Sequence, residues 1–283
     1  MVRSFLITFC GKYSHGYVCT LSREAGADGG STRRQEPPES RGARRMPIFY
    51  GFDSMYILLV LPAMLFALWA QFRVKSTFAR YQRVESERRM TGYEAAKRVL
   101  SANGLTDVRI ERVSGQLTDH YDPRGNVIRL SEGVYDSASV AAAGVAAHEA
   151  GHAVQYAVGY GPIKLRRAMI PVTQVASNLA MPLVLIGLFM GSGYITVAYI
   201  GIALFCVAAF FQLVTLPVEF NASRRALRAL EETGVLSDSE RAGAKKVLGA
   251  AALTYVAALA VALVNLLRLL TIVFRASGRS GRR

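Results

Sequence analysis

His148, Glu149 and His152 stand in the run His148-Glu-Ala-Gly-His152, and that spacing carries chemistry only on a helix. Residues four apart share one helical face, so both imidazoles can be aimed at a single ion. Neutral imidazole is a good donor to Zn2+, which favours tetrahedral nitrogen and oxygen ligands. Glu149 adjoins the first ligand and is suited to act as general base. A bound zinc brings the pKa of its water towards neutrality. The carboxylate can take that proton and deliver it to a leaving amine. The reaction class this pattern implies is metal-assisted peptide hydrolysis with one catalytic Zn2+.

A catalytic zinc site requires a third protein ligand and one open position. No histidine follows His152, which excludes the longer three-histidine pattern, so the third ligand is expected to be a carboxylate. Glu219 is the first acidic residue after His152 and the leading candidate. Glu231 and Glu232, further along, are weaker ones. His120 lies in the turn-rich Leu117-Thr-Asp-His-Tyr-Asp-Pro-Arg-Gly125. It is a candidate contact for substrate or transition state, with a structural turn histidine as the competing reading.

The elements that must position these residues can be read from the same chain. Residues 1–45 are aperiodic and rich in Gly, Ser, Arg and Pro. They read as a disordered tail, or as sequence preceding a true start at Met46. Residues 46–72 end in the uncharged run Met55–Phe72, the lower limit for crossing a bilayer core, with Trp69 as an interfacial aromatic. The following Arg73, Lys75, Arg80, Arg83, Arg88 and Arg89 mark the cytoplasmic side. Residues 73–165 are expected to form the α+β catalytic unit. In it, Thr91-Gly-Tyr-Glu94 is a capping box, and a helix stops at Asn103-Gly104. Val108–Val113 alternates like a strand, and Val127–Leu130 reads as a return strand with an exposed edge where peptide could add. A long alanine-rich helix from about Asp136-Ser137 to Val158 carries the histidines.

Residues 168–218 contain no charged side chain, enough for two spans of about twenty residues, with Gly191-Ser-Gly193 as the hairpin. Two spans return the chain to the side it left, which puts Glu219 and the histidines on one side. Residues 219–246 are expected as the helix carrying the third ligand. Val247–Phe274 is a further apolar helix, spanning, interfacial or packed on the catalytic unit, and 275–283 is a basic tail. The expected fold class is a mainly α membrane protein with a small α+β zincin-like catalytic unit.

Composition bounds the function. Of 283 residues 52% are hydrophobic and 19% charged, below the roughly 25% charge of soluble chains. The net charge of +14 gathers beside apolar runs, which points to an anionic membrane surface and away from nucleic acid. Cys10, Cys19 and Cys206 form no disulfide framework, and Cys206 reads as packing within an apolar run. The spans carry almost no ionisable residues, which disfavours a transporter.

Three blocks in order extend these readings: Gly115-Gln-Leu-Thr-Asp-His-Tyr-Asp-Pro123, Val145-Ala-Ala-His-Glu-Ala-Gly-His-Ala-Val-Gln155 and Leu216-Pro-Val-Glu-Phe-Asn-Ala-Ser-Arg-Arg-Ala226. Over roughly residues 46–274 the chain resembles the YugP-like family of neutral zinc metallopeptidases, bacterial membrane proteins. That family is in turn similar to the HtpX-like gluzincins, whose third zinc ligand is the glutamate of Glu-x-x-x-Asp. The resemblance implies Glu219 as that ligand, with Ser223 in the place of the aspartate. It leaves open whether Asn221 or a backbone carbonyl orients a histidine instead. The expected function is a multi-pass endopeptidase of the cell membrane, facing the cytoplasm and acting on membrane or unfolded proteins. A non-catalytic membrane metal-binding or scaffold protein is the alternative.

Overall fold

The computed structural model describes residues 56–280, and expectations for 1–45 lie outside them. A short π-helical turn, Tyr56–Val60, leads into α1 (Leu61–Gln82). Then come α2 (Gly92–Ala102), β1 (Arg109–Val113), β2 (His120–Asp122), β3 (Val127–Ser131), the short α3 (Glu132–Tyr135) and α4 (Val140–Ala157). Three long helices complete the chain: α5 (Gly161–Phe189), α6 (Ile195–Glu232) and α7 (Asp238–Ser280). The described residues are mostly helical, with one three-stranded sheet.

Local chemistry fixes several boundaries. Thr91 caps α2 by accepting the Glu94 N–H, while Glu94 accepts the Thr91 N–H, so the capping box is complete. Asn103 ends that helix and Gly104 takes a φ of +70°, a conformation glycine adopts without strain. α4 starts three residues later than Asp136-Ser137, because Ser139 is the residue whose hydroxyl accepts the Ala142 N–H. Residues 136–139 link the short α3 to α4 and are not helical.

The sheet order is β1-β3-β2. β3 runs parallel to β1, with Arg109 opposite Val127, and antiparallel to β2, with His120 opposite Arg129. Val127–Leu130 is therefore the buried central strand and not an exposed return strand. The reason is β2, which occupies a segment that reads as turn because of Asp122-Pro123. β2 is an outer strand, and both it and β3 pack on α4. The core joins β3 (Ile128, Leu130) to Val134, the alanine face of α4, Leu230 and Leu248 from the last two helices, and Leu236 from the turn between them.

Among the described residues, four helical segments are long and apolar enough to cross a membrane: Tyr56–Gln82, Gly161–Phe189, Ile195–Glu232 and Asp238–Gly278. α6 has 38 residues and α7 has 43, so they are about 57 and 64 Å long. A hydrocarbon core is only about 30 Å thick, so both helices extend well beyond it. α6 therefore continues through residue 219 without a break, and no separate helix spans 219–246. Charged residues begin again at Glu219, but the helix runs on to Glu232. Cys206 is exposed on α6, a correction to its reading as a packed side chain.

Two close helix crossings matter for the site. A Cβ on Gly151 of α4 would lie 2.8 Å from the Ala222 carbonyl oxygen of α6. A Cβ on Gly201 of α6 would lie 2.6 Å from the Ala180 carbonyl of α5. Only a residue without a side chain allows backbones this near.

Candidate metal centre

The α4–α6 crossing at Gly151 falls between His148 and His152, and it brings α6 against the helical face that carries them. One turn before Ala222 on α6 stands Glu219. His148 Nε2 is 3.3 Å and His152 Nε2 is 3.6 Å from the same Glu219 oxygen, Oε2. The imidazole rings meet nearly edge-to-face, at 84°, with centroids 4.8 Å apart. One donor atom from each of the three residues lies within 4.8 Å of the other two. Glu219 is 2% exposed, so its carboxylate needs compensating partners.

The far side of each ring is held as well. His152 Nδ1 is 3.0 Å from Gln155 Oε1, and an amide oxygen accepts only, so Nδ1 carries the proton. Gln155 is itself fixed, donating to the Val218 carbonyl at 2.8 Å and to Asn221 Oδ1 at 2.9 Å. Arg225 Nε donates to the same Asn221 oxygen. His148 Nδ1 is 3.2 Å from the Ser223 hydroxyl. With both Nδ1 atoms engaged, both Nε2 lone pairs are directed at one point. Ser223 thus does what a carboxylate at that position would do, with a neutral oxygen. Asn221 acts one step further out, through Gln155.

Arg166, from the first turns of α5, places its NH1 3.0 Å from Glu219 Oε1, leaving Oε2 to face the rings. Its buried Nε has no partner among the described residues. Tyr255, from α7, also interacts with Glu219, so α4, α5 and α7 all reach this carboxylate of α6.

Glu149 is buried beside the group. Burial pushes its carboxyl up to about 7, and the nearby Asp119 and Glu219 add to the rise, while His148 and the backbone N–H of Tyr121 oppose it. The packing of β2 on α4 brings this outer strand beside Glu149. Asp119, just before β2, accepts the Ser131 N–H at 2.7 Å and the Ser131 hydroxyl, which pins the approach to β2 against the end of β3. Burial raises the Asp119 pKa against those hydrogen bonds.

His120 does not join the three-residue group. It opens β2, with Nδ1 2.8 Å from the Thr118 carbonyl and Nε2 3.5 Å from Arg129. Glu231 and Glu232 face away, paired with Arg241 and Arg228. Sequence reasoning did not single out Gln155, Arg166 or Tyr255. Gln155 was findable, lying three residues beyond His152 on the same face. Arg166 looked like one more flanking cation, and nothing local distinguishes Tyr255 from other residues of an apolar run.

The donor set suits zinc: two imidazole nitrogens with engaged opposite atoms and one buried carboxylate oxygen. Comparison with known proteins agrees. The family model described as "Putative neutral zinc metallopeptidase" matches residues 56–274. A Bacillus subtilis (strain 168) protein named "Putative membrane protease YugP" is 49% identical over 218 residues, which make up 77% of this chain and 96% of that protein. No solved structure matches. With its four apolar helices, the chain is a multi-pass membrane protein, and it belongs to this family of neutral zinc metallopeptidases.

Proposed function

We propose that this protein is a zinc-dependent membrane endopeptidase of gluzincin type, with His148, His152 and Glu219 as metal ligands and Glu149 as general base. The observation that carries the reading is the convergence of both Nε2 atoms on one Glu219 oxygen while separate partners hold both Nδ1 atoms. When bound there, zinc supplies Lewis acidity that activates water at neutral pH.

The chain's own residues do the rest. Glu149 accepts a proton from the attacking water and passes it to the leaving nitrogen, so one water is consumed and a carboxylate and an amine are released. Its apolar surroundings keep its affinity for that proton close to what both transfers need. Arg166 and Tyr255 hold the Glu219 carboxylate in place. The free edge of β2 can receive an extended peptide as an added strand, running past Glu149 beneath it. His120, at the head of β2, is positioned to contact such a strand.

The side of the membrane follows from charge. The cations around Arg73–Arg89, Lys164–Arg167, Arg224–Arg228 and Lys245–Lys246 all lie at the end of the spans that bears the sheet and α4. The positive-inside rule makes that end cytoplasmic. Membrane or unfolded proteins able to present an extended segment are the substrate class.

The test is purification in detergent, zinc quantification by mass spectrometry and cleavage of an unfolded protein. Glu149→Gln is expected to retain zinc and lose cleavage by at least about a hundredfold, the usual scale for a removed general base. Undiminished cleavage by that variant would overturn the mechanism.

A further inference from the structure

Away from the metal centre, α1 and α7 line an open cavity of about 500 Å³. One wall is a single face of α1, on which Arg73, Thr77 and Arg80 follow at spacings of four and three. The other is a single face of α7, with Lys246, Gly249 and Leu253 at spacings of three and four. Three cations line it and no carboxylate does. None of the three pairs with a carboxylate among the described residues.

The depth of the cavity in a membrane can be read from the chain. Arg73 is the first charge after the uncharged run Met55–Phe72, and Lys246 is the last before the apolar Val247–Leu267. The two meet across the cavity, so both helices leave the hydrocarbon layer at this level. Trp69, one turn deeper, carries the Arg73 guanidinium over its ring at 5.3 Å, an arrangement suited to the interface. Towards the bilayer the wall turns apolar at Ala250 and Leu253. Cations at headgroup depth above an apolar wall match one ligand class, in which a phosphate is covalently attached to acyl chains.

We propose that the cavity between α1 and α7 binds an anionic phospholipid, its phosphate held by Arg73, Arg80 and Lys246 and its acyl chains running down past Leu253. Basic recesses between membrane helices on the cytoplasmic face are where such headgroups are held. The binding requires no peptidase activity and stands or falls separately from the zinc reading.

Native mass spectrometry of the full chain in detergent, titrated with phosphatidylglycerol, phosphatidylcholine and inorganic phosphate, tests it. The wild type is expected to retain one phosphatidylglycerol in preference to phosphatidylcholine, undisturbed by millimolar phosphate. R73Q/R80Q/K246Q should bind it about a hundredfold more weakly, at roughly fivefold per cation. Gly249→Phe provides a second test that keeps every charge. A Cβ at Gly249 meets no atom within 4 Å, so the ring can fill the cavity without disturbing the helices, and it should exclude the lipid. R98Q/R124Q/R228Q removes as much charge elsewhere and should bind as the wild type does. Equal retention of phosphatidylcholine, displacement by free phosphate, an equal loss in the control triple variant, or unchanged binding by Gly249→Phe would each overturn the proposal.

Discussion

At the scale of single residues, the candidate centre is a set of short chains of contact, each ending in backbone or in an opposite charge. Gln155 links His152 to α6 through the Val218 carbonyl and Asn221. Gln155→Ala should therefore lower zinc affinity by about ten- to a hundredfold, the usual cost of losing a partner behind a ligand, with little change in fold. Competition against a chelator of known affinity measures this. Arg166→Gln should have a different signature. It leaves the Glu219 carboxylate buried beside two imidazoles with one counter-charge fewer, so zinc content should fall and thermal stability of the metal-free protein should fall with it. Unfolding followed with and without zinc separates the two effects. The grouping of His148, His152 and Glu219 is legible in the sequence because helical geometry pairs the histidines and Glu219 is the first acidic residue after them. Arg166 and Tyr255 are not, because each acts through a contact between helices far apart in the chain, and local pattern carries no record of which apolar faces meet.

At the scale of elements, the α4–α6 crossing decides whether the ligands meet. Gly151→Ala puts a methyl carbon 2.8 Å from the Ala222 carbonyl oxygen, against backbone that cannot turn aside. Overpacking of this kind costs about 1–3 kcal/mol. The variant is expected to lose thermal stability and, as the helices part, to lose zinc as well, whereas Gly161→Ala, where a Cβ meets nothing within 4 Å, should do neither. Melting curves and metal content of the two variants decide this. α2 was readable to the residue because a capping box is a local device, complete within Thr91–Glu94. The strand order was not. β2 is three residues long, too short for alternation to show, and the parallel pairing of β1 with β3 depends on where the intervening chain crosses.

For the whole molecule, the long helices serve both the membrane and the site. The first turns of α7 pack on α4, where Gly144 faces Ala244, and its later turns run beside α1. Val247–Phe274 thus belongs to a helix that packs on α4 and is also long and apolar enough to cross a membrane, since about 64 Å exceeds a hydrocarbon core of about 30 Å. Paired basic flanks had left its placement open. The resulting topology predicts opposite labelling at two exposed positions. In a chain whose own cysteines are replaced, Gly193→Cys at the α5–α6 hairpin should react with a membrane-impermeant thiol reagent added outside intact cells. Asn103→Cys at the end of α2 should react only after the cells are opened. Labelling of both from one side would remove the assignment of a cytoplasmic face.

The shared origin of the metal group has a consequence for how the protein is made. His148 and His152 leave the ribosome long before Glu219, and between them lies a hairpin that must first enter the bilayer and come back. Until that excursion ends, the emerging chain holds two nitrogen donors and lacks the oxygen that completes the set. On the proposed ligand set, completion of the centre is therefore timed by insertion itself, and a copy whose hairpin has not inserted is expected to bind zinc weakly and to cleave nothing.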